Sequence, residues 1–154
     1  MNKIEGLNCI LLVDDDEATN FIHTILINKV LIDVQIPVAK DGIQALEYLT
    51  QTGKFEGMPD LLVPSIIFLD INMPGMNGWE FLEEYKKLPE EQKARMMVAM
   101  LTTSLNPADK KKAKGYKNEV LGFLNKPLTV ENLYEIFDLF FQCTRGRNSL
   151  LQMN

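Results

Sequence analysis

Short apolar runs alternate with amphipathic stretches along the whole chain. CILLV, 9–13, reads as a buried strand stopped by Asp14. EATNFIHTILINKV, 17–30, reads as a helix, with Phe21, Ile22, Ile25, Leu26 and Lys29/Val30 at helical spacing. VQIPVA, 34–39, is a short strand whose Pro37 suggests a sheet edge. DGIQALEYLTQT, 41–52, places Ile43, Leu46 and Tyr48/Leu49 on one helical face. IIFLD, 66–70, is a third buried strand. It is followed by the amphipathic GWEFLEEYKKL, 78–88, with Trp79, Phe81, Leu82 and Tyr85 as its apolar set. MVAML, 97–101, is strand four, and 107–117 is a helix opened by Pro107 in its first turn. VLGFLN, 120–125, is strand five, and TVENLYEIFDLFFQC, 129–143, is the last helix.

Uninterrupted apolar strands separated by helices imply a parallel sheet covered on both faces. The fold class is therefore α/β. Right-handed crossovers make it a doubly wound, five-stranded sheet with five helices, and the flavodoxin-like strand order 2-1-3-4-5 is the expected one. Two links exceed what a minimal strand–helix unit needs: 51–65 before strand three and 89–96 before strand four. Both carry prolines and polar residues and read as surface loops.

Composition narrows the function. A chain of 154 residues has room for one domain with a proper core. Hydrophobic content of 46% and charged content of 24% suit a soluble globular protein. A net charge of −5 gives no support to nucleic-acid binding, which needs a basic surface. No apolar run approaches the roughly 20 residues of a membrane helix, and the N-terminus lacks the order of a secretory signal. Cys9 and Cys143 both lie in apolar sequence and read as buried free thiols, so a cytoplasmic location is expected. His23 is the single histidine, which excludes any site needing two, and it reads as a helix residue near the surface. The lysines of DKKKAKGYK read as a solvated helix face.

In open α/β sheets, ligands gather beyond the carboxyl ends of the strands. Asp14, Asp15 and Asp16 follow strand one, and Asp70 ends strand three. Thr102, Thr103 and Ser104 follow strand four, and Lys126 and Pro127 follow strand five. In the order 2-1-3-4-5 these strands are neighbours, so the groups converge. Clustered carboxylates repel unless a cation sits among them, and hard oxygen donors without His or Cys select Mg²⁺, with Mn²⁺ as the alternative. Magnesium, a lysine and a hydroxyl together suit a phosphoryl group, with Asp70 as the nucleophile that accepts it. Asp16, directly before EATN, is read instead as the N-cap of the first helix. Gly75 and Gly78 read as turn glycines with positive φ. Met73, Met76 and Trp79 read as packing residues.

The four motifs LLVDDDE, FLDINMPGMNG, MLTTS and FLNKPL, in this order over residues 7–142, closely resemble the receiver domain of two-component response regulators. The resemblance implies Asp70 as phosphoacceptor. It also implies a metal site of Asp14, Asp15, Asp70 and the backbone carbonyl of Asn72, with Asp15 binding directly and Asp14 largely through water. Thr102 matches the switch hydroxyl and Lys126 the lysine that pairs with the phosphoryl group. Lys126–Pro127 matches a cis peptide, and Phe123 stands at the aromatic switch position, where a tyrosine is common. Asn72 and Ser104 match positions that tune the lifetime of the phosphorylated state. The chain is then expected to be a stand-alone, chemotaxis-type receiver over 1–154, with a core of about 7–142 and no output domain. It would be a signalling switch rather than an enzyme, phosphorylated by a histidine kinase or histidine phosphotransfer protein. Its readout would be the face formed by helix four, strand five and helix five, roughly residues 106–142. It would act as a monomer or weak homodimer and signal to a protein effector. A fainter similarity is to the single-domain receivers paired with bacterial phytochrome kinases.

Two alternatives stand beside it. A haloacid-dehalogenase-type phosphatase also uses a strand-end aspartate and magnesium. Asp14 and Asp16 have its Asp-x-Asp spacing with Asp14 as nucleophile, but Ala18 stands where that signature has Thr or Val. The other is a receiver-like binding module that is never phosphorylated.

Overall fold

The computed structural model describes residues 3–102 and 105–144. Among them, five parallel strands alternate with five α-helices. These are β1 Ile10–Val13, α1 Glu17–Val30, β2 Val38–Ala39, α2 Gly42–Thr50, β3 Ile66–Asp70, α3 Gly78–Tyr85, β4 Met96–Leu101, α4 Pro107–Lys114, β5 Gly122–Asn125 and α5 Val130–Thr144. The sheet order is β2-β1-β3-β4-β5, so the doubly wound α/β architecture and its strand order are those the apolar pattern implies. In register, Val13 lies beside Leu69 and Asp70 beside Met100.

Alternation along each strand feeds two cores. Ile10, Leu12, Ile66, Phe68, Val98, Met100 and Leu124 pack against Ile27 and Val30 of α1 and Leu133, Ile136 and Phe140 of α5. Leu11, Val13, Ile67, Leu69, Met97, Ala99 and Leu101 face Ala45, Tyr48 and Leu49 of α2 and Phe81, Leu82 and Tyr85 of α3. No residue of α4 is buried, which suits its lysine-rich sequence. The edge strand β2 is confined to Val38–Ala39 rather than the 34–39 its sequence suggests. Its pairing continues outside it, where Leu12 N–H donates to the Pro37 carbonyl at 3.0 Å and Ile10 N–H to that of Gln35 at 2.8 Å. An edge is where a proline, lacking an N–H, costs no ladder bond.

Several expectations change. The inner face of α1 is Asn20, His23, Ile27 and Val30, while Phe21, Ile22 and Ile25 are exposed, Phe21 by 67%. Near the carboxyl ends of the strands the inner face of α1 has polar backbone to satisfy, and Asn20 does so: its Nδ2 donates to the Asp14 carbonyl at 2.9 Å. His23, expected near the surface, is therefore buried at 3% exposure. Ile43 is likewise exposed on α2. α3 and α4 end three residues earlier than their patterns suggest, at Tyr85 and Lys114. Cys9 is buried, but Cys143 is exposed. The 51–65 link is not wholly surface. A 3-10 turn, Gly53–Phe55, buries Phe55 edge-on against Tyr48 at 5.1 Å, and Ser65 is buried too.

Candidate phosphoryl and metal site

Two loops bring the site together by local rules. After β1, Asp16 caps α1: its carboxylate accepts from Ala18 N–H at 3.2 Å and from the Thr19 hydroxyl at 2.6 Å. Asp14 Oδ1 in turn accepts from Asp16 N–H at 2.9 Å, so the cap also orients Asp14. After β3, Gly75 takes φ +72° in the turn, and Asn77 with Glu80 forms a capping box that starts α3. Gly78 does not adopt the positive φ expected of it; space is what requires glycine there. A Cβ at this position would lie 2.6 Å from Ile71 Cα and 2.9 Å from the Asp70 carbonyl oxygen, and Gly78 N–H donates to the Ile71 carbonyl at 2.9 Å. The α3 N-terminus thus lies directly on the chain that carries Asp70.

Lys126, just beyond β5, reaches across to both acids. Its Nζ lies 2.6 Å from Asp14 Oδ2 and 3.2 Å from Asp70 Oδ2. The Lys126–Pro127 peptide is cis. Asp14 and Asp70 are buried, while Asp15 is exposed at the mouth. One oxygen from each of Asp14, Asp15 and Asp70 falls within 4.8 Å of the others. Asn72 N–H donates to Asp70 Oδ1 at 3.1 Å, and its side-chain amide donates to Thr102 Oγ1 at 2.9 Å. Phe123 on β5 is half-buried with its ring 5.8 Å from Trp79. Thr103 and Ser104 lie outside the described residues.

Electrostatics follow from this packing. Burial, and then the charge of Asp14, push the Asp70 carboxyl up to about 6, against the pull of Lys126. Burial opposes the charge on Lys126, yet hydrogen bonding and attraction from Asp14 and then Asp70 hold its ammonium above the ordinary lysine value. Three carboxylates share one ammonium, so the cluster keeps an excess of negative charge. Hard oxygen donors at this spacing, part buried and part open to solvent, fit a divalent cation such as Mg²⁺ or Mn²⁺.

Sequence reasoning missed a layer beneath the acids. Asn20 ties the Asp14 backbone to α1, and its Oδ1 is buried without a hydrogen-bond partner. One turn on, His23 is held below its ordinary pKa by burial, with the Asp14 charge opposing. The legible signal was two polar residues three apart, Asn20 and His23, in a helix otherwise rich in isoleucine.

Comparison with known proteins accords with this geometry. Residues 10–138 match the model of the response regulator receiver domain family, and the chain belongs to that family. It is similar to response regulator Rcp1 of Synechocystis, at 32% identity over 127 residues, covering 82% of each chain. The structure of the Mn²⁺-bound form of Rcp1 aligns with a TM-score of 0.66 at 27% identity, covering 94% of this chain and 99% of that one. A two-component response regulator from Cytophaga hutchinsonii gives a TM-score of 0.73 at 31% identity over 92% and 99% of the chains. The bacteriophytochrome response regulator RtBRR gives 0.70 at 26% identity over 86% and 78%. Among the described residues, no helix is long and apolar enough to cross a membrane.

Proposed function

We propose that this receiver is a phosphorylation switch in which Asp70 takes a phosphoryl group from the phosphohistidine of a histidine kinase or histidine phosphotransfer protein. The observation that carries this is the Lys126 ammonium bridging the Asp14 and Asp70 carboxylates, with Asp15 in reach of both. Asp70 Oδ attacks phosphorus as the P–N bond breaks, leaving the acyl phosphate on Asp70 and the electron pair on the donor imidazole. Asp14, Asp15, Asp70 and the Asn72 backbone carbonyl are the groups that would hold Mg²⁺ or Mn²⁺. Bound there, the ion neutralises charge on the transferring oxygens. Lys126 does the same from the other side and is already charged for it.

Thr102 is the switch hydroxyl. In this arrangement its oxygen is taken by the Asn72 amide, and drawing it to a phosphoryl oxygen frees room for Phe123 to turn inward. That is a population shift between two loop arrangements, read on the face of α4, β5 and α5 by a protein effector. Asn72 and Ser104 set the lifetime before hydrolysis resets Asp70. We assign the protein to the cytoplasm, as a monomer or weak homodimer with no further activity. RtBRR makes a light-sensing kinase one class of donor to test. The phosphatase alternative is disfavoured because Asp16, its second carboxylate, is spent on the α1 cap.

The test is incubation with acetyl phosphate and Mg²⁺, intact-mass measurement and borohydride trapping. A base-labile adduct on Asp70, absent from Asp70→Asn, is expected. An adduct on Asp14 would favour the phosphatase. No adduct from acetyl phosphate or a histidine phosphodonor would leave a binding module.

A further inference from the structure

Trp79, the single tryptophan of the chain, packs against two other rings. Tyr116, in the α4–β5 link, stacks on it at 5.8 Å with 29° between planes, and Phe123 of β5 tilts against it at 5.8 Å and 37°. Lys112 of α4 sets its ammonium 5.9 Å from the Trp79 ring. The same side of α3 holds Tyr116 at two more points. Its hydroxyl donates to Glu83, and the Lys86 ammonium lies 4.4 Å from its ring. At the base of Trp79, Gly78 lies against the backbone of Asp70 and Ile71, so close that a Cβ would not fit. The Trp79 ring, next to the segment that carries Asp70, therefore contacts both the α4–β5 link and the ring at the switch position.

We infer that Trp79 is a positioning residue that holds Phe123, and with it the β5 end of the readout face, in the unphosphorylated arrangement. The inference rests on the phosphorylation reading above and deepens it: on that reading, Phe123 gives up its contact with the Trp79 ring as it turns into the space beside Thr102. The Thr102 hydroxyl and the Phe123 ring are thus both engaged before phosphorylation, one by Asn72 and the other by Trp79. On this reading phosphorylation breaks both contacts. An aromatic pair of this kind biases a two-state equilibrium by roughly 2- to 10-fold. Because Phe123 has no hydroxyl, this ring contact supplies a restraint that a polar bond at that side chain cannot.

The experiment follows tryptophan emission and intact mass in the same acetyl phosphate and Mg²⁺ time course. Emission should change in proportion to the Asp70 adduct, and that change per adduct should disappear in Phe123→Leu. Trp79→Leu should raise the initial labelling rate roughly 2- to 10-fold, and Trp79→Phe, which restores a ring, should return it towards wild type. Cooperative thermal melts check that each variant folds, and if Trp79→Leu does not, the emission arm decides alone. Adduct formation with unchanged emission, or equal labelling rates for the Leu and Phe variants, would overturn the role of Trp79 and leave the phosphoacceptor standing. Absence of any adduct would overturn both.

Discussion

Asp70 is under opposed influences. Burial and Asp14 favour its neutral acid, Lys126 favours the carboxylate, and the balance near 6 leaves it ionised yet poorly solvated at neutral pH. A carboxylate short of water is a stronger nucleophile, provided a cation neutralises the product. Its neighbours divide their work. Asp15, exposed and otherwise uncommitted to the α1 cap, should matter for the metal, while Asp16 should matter for the helix. Titration with Mn²⁺ should show Asp15→Ala losing at least tenfold in affinity and Asp16→Ala little. Asp16→Ala should instead lose about 1 kcal/mol of stability in denaturant melts, the usual cost of an N-cap. Equal losses of metal affinity would mean the three acids are mis-sorted. His23 gives a pH signature. Its folded pKa is depressed, whereas the unfolded chain protonates near 6.5. Below that pH the unfolded state binds more protons, so stability is present above about 6.5 and is lost as pH falls through the folded value. Melts between pH 7.5 and 5.5 should show a shallower decline for His23→Gln than for wild type; identical slopes would mean the folded ring takes up the proton.

At the scale of the elements, the central strands β1, β3 and β4 were legible because each is an unbroken apolar run. The starts of α1 and α4 were legible because Asp16 reads as a cap and Pro107 as a first-turn residue; the caps Asp41, Asn77 and Asn106 came only with the structure. The orientation of α1 was not. Its isoleucines and Phe21 describe an apolar face, but Asn20, which satisfies the Asp14 carbonyl, turns inward with His23, Ile27 and Val30, leaving Phe21, Ile22 and Ile25 exposed. Hydrophobic periodicity carries no information about one backbone carbonyl. The site residues were legible in kind because they follow strands. Their partners were not: the pairing of Asn72 with Thr102 and the ring contacts of Trp79 depend on how loops pack. Gly78 shows the same limit, since a glycine in a turn suggests φ, whereas here it marks a close approach of backbones. Gly78→Ala should therefore destabilise the fold by about 1–3 kcal/mol, as overpacking does. Chemical denaturation checks this, and a variant as stable as wild type would mean the α3 N-terminus shifts freely away from β3.

For the whole molecule, the acidic cluster concentrates unfavourable charge where Lys126 only partly offsets it, so the metal should be a folding ligand as well as a chemical one. Mg²⁺ at about 100 times its Kd should stabilise the protein by about 2.7 kcal/mol, a rise of several degrees in Tm, abolished by chelator. A Tm indifferent to Mg²⁺ would argue against a metal among these three acids.

The reach of Lys126 to Asp14 has a consequence for how the protein comes into being. The two residues are 112 apart in sequence, yet their contact joins the first strand to the last across the top of the sheet. While the chain is being translated, Asp14, Asp15 and Asp70 all leave the ribosome long before the lysine that must face them. A nascent polypeptide ending short of β5 has the nucleophile without its counter-charge, and β5 cannot dock until β4 offers an edge to receive it. On the proposed function, competence for phosphoryl transfer would therefore arrive late in synthesis. A kinase meeting an unfinished chain would find Asp70 without the lysine that offsets its charge, so efficient transfer is expected only once the sheet has closed out to its far edge.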